Sequence, residues 1–325
     1  MNAPAWVSRL LGGSPADAIA APPSAVIPTP APLFDAAVQH YLTMLDGLPL
    51  KPKTVQNKRD TFRYFMPDFC GRPVDSIRPF EIGRIVRSVH DAGKLVTARV
   101  TLSVLREIFN ESLMMGWVDI NPAMHVKRPP APVRRQRLSL EQFQRIHDYG
   151  CAHFPPWFPL SIRLALVTGQ RRSDLVKMRF GDVHDGHLFV TQFKTGARVA
   201  IPLALRLDAL GCTLGSVIDE CRSYPPHASD LLLRTAARPH RLLNPQSLTT
   251  RFWTARRIVC PHTGDGTPPS FHEIRSLSER LYRAQGVDTQ TLLGHKRPGM
   301  TDLYNDERGL NAGKFKFLKI PDKSA

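Results

Sequence analysis

Residues 168–175 read Thr-Gly-Gln-Arg-Arg-Ser-Asp-Leu, and residues 271–275 read Phe-His-Glu-Ile-Arg. Between them lies Lys-Thr-Gly at 194–196, and after them come Leu-Gly-His at 293–295 and a tyrosine, Tyr304. Arginine and lysine bind phosphate groups, while histidine and tyrosine accept or donate protons. Residue types that can bind anions or move protons therefore recur along the second half of the chain.

The stretches around these segments have helical and extended patterns. Ser139 followed by Gln142 predicts a capping box that opens the first helix of this half. Lys194 lies between two runs with strand character, which predicts a β-hairpin with the lysine at its turn. His272 and Arg275 lie three positions apart on a predicted helix, so we expect both on one side of it. Helices are predicted at 139–150, 156–168, 173–179, 203–210, 215–223, 245–259, 271–285 and 288–294, and strands at 187–193, 198–202 and 314–319.

The first half of the chain has apolar residues at helical spacing from Phe34 to about Met124. Residues 1–33 are rich in proline and alanine and predict a flexible tail, whereas residues 127–137 are rich in proline and arginine and predict a stiff basic linker. Four helices are predicted, around 37–45, 62–69, 79–90 and 97–115. The predicted parts are a tail at 1–33, a helical domain at 34–126, a linker at 127–137 and a second domain at 138–325.

The charge of the chain points to its class of partner. Of 325 residues, 44 are lysine or arginine and 28 are aspartate or glutamate, a formal net charge of +16. Such an excess favours a polyanionic partner, usually nucleic acid. We find neither a run of about 18 apolar residues nor an apolar signal core, so we expect a cytoplasmic protein without membrane contact. The five cysteines form no CxxC pair and therefore predict neither a disulfide framework nor a zinc ribbon.

In their order and spacing, the five segments resemble the tyrosine recombinase family, and within it the lambda-type phage integrases. The likeness covers nearly all of residues 138–325, including Leu-Leu-Gly-His-Lys at 292–296. Residues 34–126 are more loosely similar to the family's helical core-binding domain. The resemblance implies a mainly α fold with a small β component (α+β). It also implies that a core-binding domain and a tyrosine-recombinase catalytic domain close as a C-shaped clamp around duplex DNA.

The resemblance also assigns roles to single residues. It implies that Tyr304 is the nucleophile, which forms an O-(3′-phospho-DNA)-tyrosine intermediate, and that Asp174 supports the site without reacting. The other catalytic positions match the family's two phosphate-clamping arginines, its hairpin lysine and its two histidines: Arg171, Arg275, Lys194, His272 and His295. Alone, each such residue is more often an ordinary surface or packing residue, so it is the ordered set that indicates the chemistry.

These residue types suit the transfer of a phosphodiester. Charge in its transition state spreads over the non-bridging oxygens, which the planar fork of arginine matches. Tyrosine, with an ordinary pKa near 10, needs neighbouring groups to lose its proton, and a lysine can protonate the leaving 5′-oxygen. The bond energy is kept in the protein–DNA link, so we expect no cofactor and no metal. No P-loop or dinucleotide-binding motif is present.

The resemblance implies double-stranded DNA attachment sites as the partner, and a homotetramer that exchanges strands through a Holliday junction. Recombinases of transposons, genomic islands and chromosome-dimer resolution, and type IB topoisomerases, use the same chemistry. A non-catalytic architectural DNA-binding protein is a further alternative. Lambda-type integrases begin with an arm-binding domain, for which residues 1–33 are too few, so the use of host DNA-bending and excision factors stays open.

Basic residues outside the catalytic series are predicted to contact DNA, mostly at phosphates. They are Lys51, Lys53, Lys58, Arg63, Lys94, Arg99, Arg134 and Arg135. Within the linker, Lys127, Arg128 and Arg137 are also expected to lie along the DNA and to release counterions on binding.

Overall fold

A computed structural model describes residues 31–132, 135–225, 229–238, 240–262 and 266–304. Its contacts divide the chain into two compact units, residues 1–132 and 133–325. The described part of the first unit is helical, and that of the second combines helices with two small antiparallel sheets. The fold is thus mainly α with a small β component, as predicted. In the described ranges, no helix has both the length and the apolar character needed to cross a membrane.

The first unit packs its helices around an aromatic core. The ring of Phe34 meets those of Phe65 and Phe69 edge to face, with centroids 5.9 and 5.3 Å apart. The helices described in this unit are α1 (Phe34–Gly47), α2 (Pro52–Arg59), α3 (Met66–Phe69), α4 (Pro79–Asp91) and α5 (Leu95–Met114). Helix α4 starts with Pro79 in its first turn, where the missing N–H is not needed.

The helix predicted over 62–69 is wrong. The segment forms a 3-10 turn at Phe62–Tyr64 and then the single turn α3. Pro67 has no N–H to donate to the carbonyl of Arg63, so a continuous helix is interrupted there. Helix α2 was not predicted because it has no apolar stripe, and none of its residues is buried.

The second unit contains the predicted hairpin. Strands β1 (Val183–His184), β2 (His187–Thr191) and β3 (Arg198–Pro202) form an antiparallel sheet in that order, and β4 (Arg206–Leu207) pairs with β5 (Cys212–Thr213). The predicted capping box is confirmed, since Ser139 Oγ accepts a hydrogen bond from the Gln142 N–H at 3.1 Å. The helices described here are α6 (Leu140–His153), α7 (Trp157–Thr168), α8 (Arg172–Leu175), α9 (Leu214–Ser223), α10 (Pro245–Val259), α11 (Glu273–Ala284), α12 (Thr289–Leu293) and α13 (Pro298–Asp302).

Two predicted helices of the second unit are corrected. Residues 203–210 form no α-helix but contain β4 and a 3-10 turn at Asp208–Leu210. Gly211, with a φ of +64°, turns the chain back after them and lets β4 pair with β5. The helix predicted over 173–179 ends at Leu175. Beyond it the backbone pairs with another segment, where the Met178 carbonyl accepts from the Leu232 N–H at 3.0 Å.

Helix α7 is the centre of the second unit and points its end at the site. Ten of its twelve residues are buried, so it is apolar on nearly every side. It ends at Gly169, whose φ of +63° lets the chain leave the helix. Tyr282 of α11 donates to the Val167 carbonyl at 2.9 Å, which fixes α11 beside that end. Arg171 and the first turn of α11 therefore lie close together.

Candidate active site

Arg275, in the first turn of α11, is only 2% exposed. Its Nη1 donates to the Gly169 carbonyl at 2.6 Å, and its Nη2 donates to the Leu293 carbonyl at 2.6 Å and to His295 Nε2 at 3.0 Å. The guanidinium thus ties α11 to the ends of α7 and α12. Burial, followed by the charge of Arg171, lowers the pKa of Arg275 to about 10, so the group stays charged at neutral pH.

His295 has its tautomer set by this arginine. Arginine carries donors only, so His295 Nε2 must accept with its lone pair, and the proton of the neutral ring lies on Nδ1. That Nδ1 donates to Thr301 Oγ1 at 2.9 Å. Burial and the charges of Arg275 and Arg171 lower the pKa of His295 to about 4, so the ring is neutral at pH 7.

Tyr304 follows helix α13 and meets the first histidine. Its hydroxyl lies 3.1 Å from His272 Nε2. The centroid of its ring lies 5.4 Å from that of His295 and 5.8 Å from the guanidinium carbon of Arg275. The tyrosine hydroxyl is therefore placed between a proton acceptor and a buried cation.

His272 is neutral at pH 7 as well. Loss of hydration is the larger cause, and nearby positive charges add to it, which together lower its pKa to about 4. Those charges, in decreasing order of effect, belong to Arg275, Arg171, Arg135 and Lys194. The residue still keeps an exposed surface. In the tautomer with its proton on Nδ1, a neutral ring accepts the proton of the neighbouring tyrosine at Nε2.

A cavity of about 480 Å³ opens beside these residues. The cations and the histidine in its wall are Arg135, Arg171, Arg172, Lys194, His272 and Arg275. Its described lining holds no carboxylate, so the cavity is electrostatically suited to an anion. In the part of the chain that the structure describes, no three histidine, cysteine or carboxylate side chains converge as metal ligands would.

The hairpin brings Lys194 to the same cavity. Asp174 is 3% exposed, and its Oδ1 accepts the backbone N–H of Phe193 at 2.9 Å. The carboxylate therefore fixes the residue directly before the exposed lysine. On the other side of the cavity, Arg171 Nη1 donates to Gln192 Oε1 at 2.7 Å. All seven positions that the resemblance singled out thus lie in one unit, around one cavity or directly beside it.

Two family descriptions match the sequence at these two units. Residues 136–309 match the phage integrase family, and residues 34–129 match the phage integrase central domain. The chain belongs to the phage integrase family. It is a tyrosine-type site-specific recombinase of the phage and prophage integrase kind.

Individual integrases are similar over most of the chain. The sequence is 41% identical to the integrase of Enterobacteria phage P21 over 266 residues, which cover 80% of this chain and 70% of the relative. It is 34% identical to the integrase of Escherichia phage lambda over 274 residues, which cover 84% and 75%.

A solved lambda integrase dimer bound to a COC′ core site has a TM-score of 0.81 at 32% identity and covers 88% of this chain and 99% of that one. A lambda integrase tetramer bound to a Holliday junction has a TM-score of 0.81 at 31% identity, covering 89% and 80%. These similarities confirm the predicted family and fold.

The expectation that Arg137 lies along DNA is wrong for this integrase. The side chain is 4% exposed, and its Nη1 pairs with Glu273 Oε2 at 2.9 Å. Its Nη2 donates to the Leu303 carbonyl, and Ser276 Oγ donates to the Tyr304 carbonyl at 2.8 Å. Arg137 is thus buried against the backbone of the residue before Tyr304, and its guanidinium is engaged within the fold instead of facing a DNA phosphate.

Sequence reasoning also missed Gln192, although a signal for it was present. Leu188 and Val190 are buried, and alternation along β2 carries the same face to residue 192. A glutamine at a buried register position needs hydrogen-bond partners, which marks it as a candidate for a polar network. No comparable signal exists for Arg137, since it lies in a run of exposed-looking arginines.

Four of the predicted DNA-contact residues are exposed in the first unit. Lys51 and Lys53 lie at the start of α2. Arg63 and Lys94 lie over the ring of Tyr64, at 5.0 and 5.4 Å from its centroid. Two exposed cations around one partly buried ring form a positively charged patch, and DNA contact at these four residues stays a prediction.

The remaining predicted contacts differ in their surroundings. Lys58 Nζ forms an ion pair with Glu107, and Arg99 Nε donates to the Pro129 carbonyl at 2.8 Å. Both cations are therefore already engaged within the first unit. Arg135 lines the active-site cavity. Arg134, the strand predicted at 314–319 and residues 1–30 lie outside the described residues.

Proposed function

We propose that this integrase cuts and rejoins double-stranded DNA at attachment sites through a bond between Tyr304 and a 3′-phosphate. The observation that carries the proposal is the 3.1 Å contact of the Tyr304 hydroxyl with His272 Nε2, beside a cavity lined by cations. A phosphate in that cavity would meet the nucleophile, its proton acceptor and charge-stabilising groups together.

The bond changes balance without a further reactant. Tyr304 Oη bonds to the phosphorus and its proton passes to His272 Nε2, while the bond from phosphorus to the 5′-oxygen breaks. Lys194 protonates that oxygen, which leaves a free 5′-hydroxyl and a 3′-phosphotyrosine. The 5′-hydroxyl of a partner strand then reverses these changes and restores the tyrosine.

The other residues act on charge and geometry. Arg171 and Arg275 bind the non-bridging oxygens, and the Arg275 pKa of about 10 keeps it cationic at neutral pH. His295, held by Arg275 and Thr301, provides a further contact for the phosphate. Asp174 supports the hairpin that carries Lys194. The phosphate's negative charge would raise the pKa of both histidines when DNA binds.

The assembly follows from the relatives as part of the same proposal. Lambda integrase is solved as a dimer on a core site and as a tetramer on a Holliday junction. We expect this integrase likewise to act on DNA as a tetramer. Its relatives come from phages and an Escherichia coli prophage, which supports the cytoplasm of a bacterial host as its place of action.

The test starts by mapping the crossover site through sequencing of element–chromosome junctions. A nicked duplex carrying this site traps the covalent product, since the released fragment diffuses away. The wild type is expected to form the adduct, and Tyr304→Phe to bind the duplex without forming it. Tyr149→Phe, a partly buried tyrosine of α6, is the control and should react like the wild type. An adduct that persists in Tyr304→Phe would place the nucleophile elsewhere.

A further inference from the structure

Gln192 is buried at 1% exposure between the hairpin and the end of α12. Its Nε2 donates to Gln170 Oε1 at 2.8 Å and to the Leu293 carbonyl at 2.9 Å. Its Oε1 accepts from Arg171 Nη1 at 2.7 Å and from Thr195 Oγ1 at 2.8 Å. A carboxamide has two donor hydrogens and two acceptor sites, so every one of them is used.

The orientation of this amide follows from its surroundings. Gln170 Nε2 donates to the Thr168 and Leu292 carbonyls at 3.0 and 2.8 Å, so its oxygen must point the other way, at Gln192. That oxygen and the Leu293 carbonyl are both acceptors, so the end of the Gln192 amide that faces them must be its NH2 group. The Gln192 oxygen is therefore directed at Arg171.

The network joins the two arginines of the site. The Leu293 carbonyl that accepts from Gln192 also accepts from Arg275 Nη2 at 2.6 Å. The glutamine thus links the guanidinium of Arg171, the turn beside Lys194 and the carbonyl that holds Arg275. The Gln192 amide is tightly packed, because a Cβ added at Gly294 would lie 2.8 Å from Gln192 Nε2.

We propose that Gln192 is a positioning residue that sets the Arg171 guanidinium for the DNA phosphate and aligns it with Arg275. The proposal rests on the proposed function for its phosphate ligand. Both ends of the amide are needed, because its acceptor end holds Arg171 and its donor end is anchored at residues 170 and 293. A misplacement of about 1 Å at a reacting group lowers rates by about 10²-fold, which sets the expected size of the effect.

Two variants separate the two ends. Gln192→Leu removes all four hydrogen bonds. Gln192→Glu keeps the shape and the acceptor at Arg171, but it places a second oxygen against two acceptors, which repel it. Gly294→Ala leaves the amide chemically unchanged but crowds it; it also crowds Ala197 Cβ at 3.1 Å and strains a backbone with a φ of +61°. Gln285→Leu is the control, because Gln285 also bridges backbone groups, accepting from the Asp208 N–H at 3.2 Å and donating to the Arg206 carbonyl at 3.0 Å.

The readout compares the mapped site with a phosphate and with a neutral methylphosphonate at the scissile position. Loss of a group that recognises the phosphate charge should slow adduct formation less on the neutral substrate than on the charged one. We expect Gln192→Leu, Gln192→Glu and Gly294→Ala to form adduct about 10- to 100-fold more slowly than wild type on phosphate, with a smaller defect on methylphosphonate. Gln285→Leu should match the wild type on both, and melting temperatures identify any variant that is unfolded.

A second measurement separates failure of this proposal from failure of the proposed function. In the Tyr304→Phe background, affinities for the two duplexes are compared without chemistry. The parent is expected to prefer the phosphate duplex, and Gln192→Glu to lose most of that preference. Wild-type behaviour of folded Gln192→Glu, or equal defects on both substrates, would overturn the positioning role. The Tyr304→Phe protein could prefer the phosphate duplex even though the protein with Tyr304 forms no adduct. That result would count against the proposed function, and the binding test of Gln192 would still be valid.

Discussion

Arg275 gives up its hydration on burial, and the carbonyls of Gly169 and Leu293 replace the lost water. A buried cation is costly unless it is hydrogen-bonded, which explains why two helix ends converge on this side chain. The third acceptor, His295, can serve only while its ring is neutral. At the scale of single residues, Arg275 is therefore charged at pH 7, whereas the two histidines of the site are neutral.

This arrangement makes the protein sensitive to acid. The pKa of His295 is about 4 in the folded protein and 6.5 unperturbed, so between these values the unfolded chain binds more protons. Stability should therefore fall as the pH drops from 7 towards 4, by up to about 3 kcal/mol from His295 alone, and this contribution should level off below pH 4.

Thermal unfolding at several pH values tests this expectation. His295→Gln should lose less stability on acidification than the wild type, because the glutamine does not titrate. His153→Gln replaces an exposed histidine of α6 and should follow the wild-type curve. Equal acid sensitivity of all three proteins would show that His295 is not the group responsible.

At the scale of elements, the site is formed where the ends of several helices lie close together. Gly169 closes α7 with a φ of +63°, and a Cβ there would lie 2.9 Å from Leu293 Cδ2 and 3.1 Å from Ser278 Oγ. Arg137 and Glu273 hold the start of α11 against the segment before Tyr304. The catalytic side chains therefore depend on close backbone approaches that no single helix provides.

Gly169→Ala is expected to lose stability for two reasons. The left-handed conformation costs a residue with a Cβ about 1–2 kcal/mol, and the contact with Leu293 adds about 1–3 kcal/mol of overpacking. Gly186→Ala separates the two, since Gly186 has a φ of +71° and a Cβ added there would have nothing within 4 Å. Urea unfolding should show a larger loss of unfolding free energy for Gly169→Ala than for Gly186→Ala. Equal losses would mean that the left-handed backbone conformation, and not the contact with Leu293, accounts for the whole effect.

Removing one partner of the buried ion pair should be more severe than removing an exposed one. Arg137→Ala leaves Glu273 as an uncompensated buried charge, for which we expect a loss of about 3–5 kcal/mol. Arg145→Ala breaks the exposed pair with Glu141 and should change stability by less than about 1 kcal/mol. The denaturant midpoints of the two variants test this difference. A small loss of stability in Arg137→Ala would mean that water reaches Glu273 in that variant.

At the scale of the whole molecule, charge determines how the protein meets DNA. The net charge is +16 over 325 residues. Some cationic side chains are paired internally, as Lys58 is with Glu107, whereas Lys127 and Arg128 of the linker are exposed. Arg135 lines the cavity, so its removal would disturb catalysis as well as binding. Lys127 and Arg128 are therefore the better probes of the linker.

Neutralising Lys127 and Arg128 to glutamine should flatten the dependence of DNA affinity on salt. Each phosphate contact contributes about 0.9 to the slope of log affinity against log salt, so the slope should fall by up to about 1.8. The loss should be similar for all DNA sequences. Arg206→Gln and Arg222→Gln, exposed arginines already paired with aspartates, are the control pair. An unchanged slope would place the linker side chains away from the phosphates.

The sequence by itself determined the family and predicted the chemistry, because the groups proposed to perform it are carried by short local segments. Arg171, Lys194, His272, His295 and Tyr304 are recognisable through their order and spacing, and helical periodicity located most of the helices around them. Local rules failed where Pro67 interrupts a helix and where Gly211 reverses the chain. In both cases one residue overrides the periodicity of its neighbours.

Only the tertiary structure decided how those groups are held. Arg137 looks like one more linker cation, yet a partner 136 residues away in the sequence buries it. The orientation of Gln192 depends on the Leu293 carbonyl, 101 residues away. The neutral state of His295 depends on its burial and on Arg275, 20 residues before it. Burial, amide orientation and protonation arise from contacts between distant segments, and local sequence carries no record of which segments will meet.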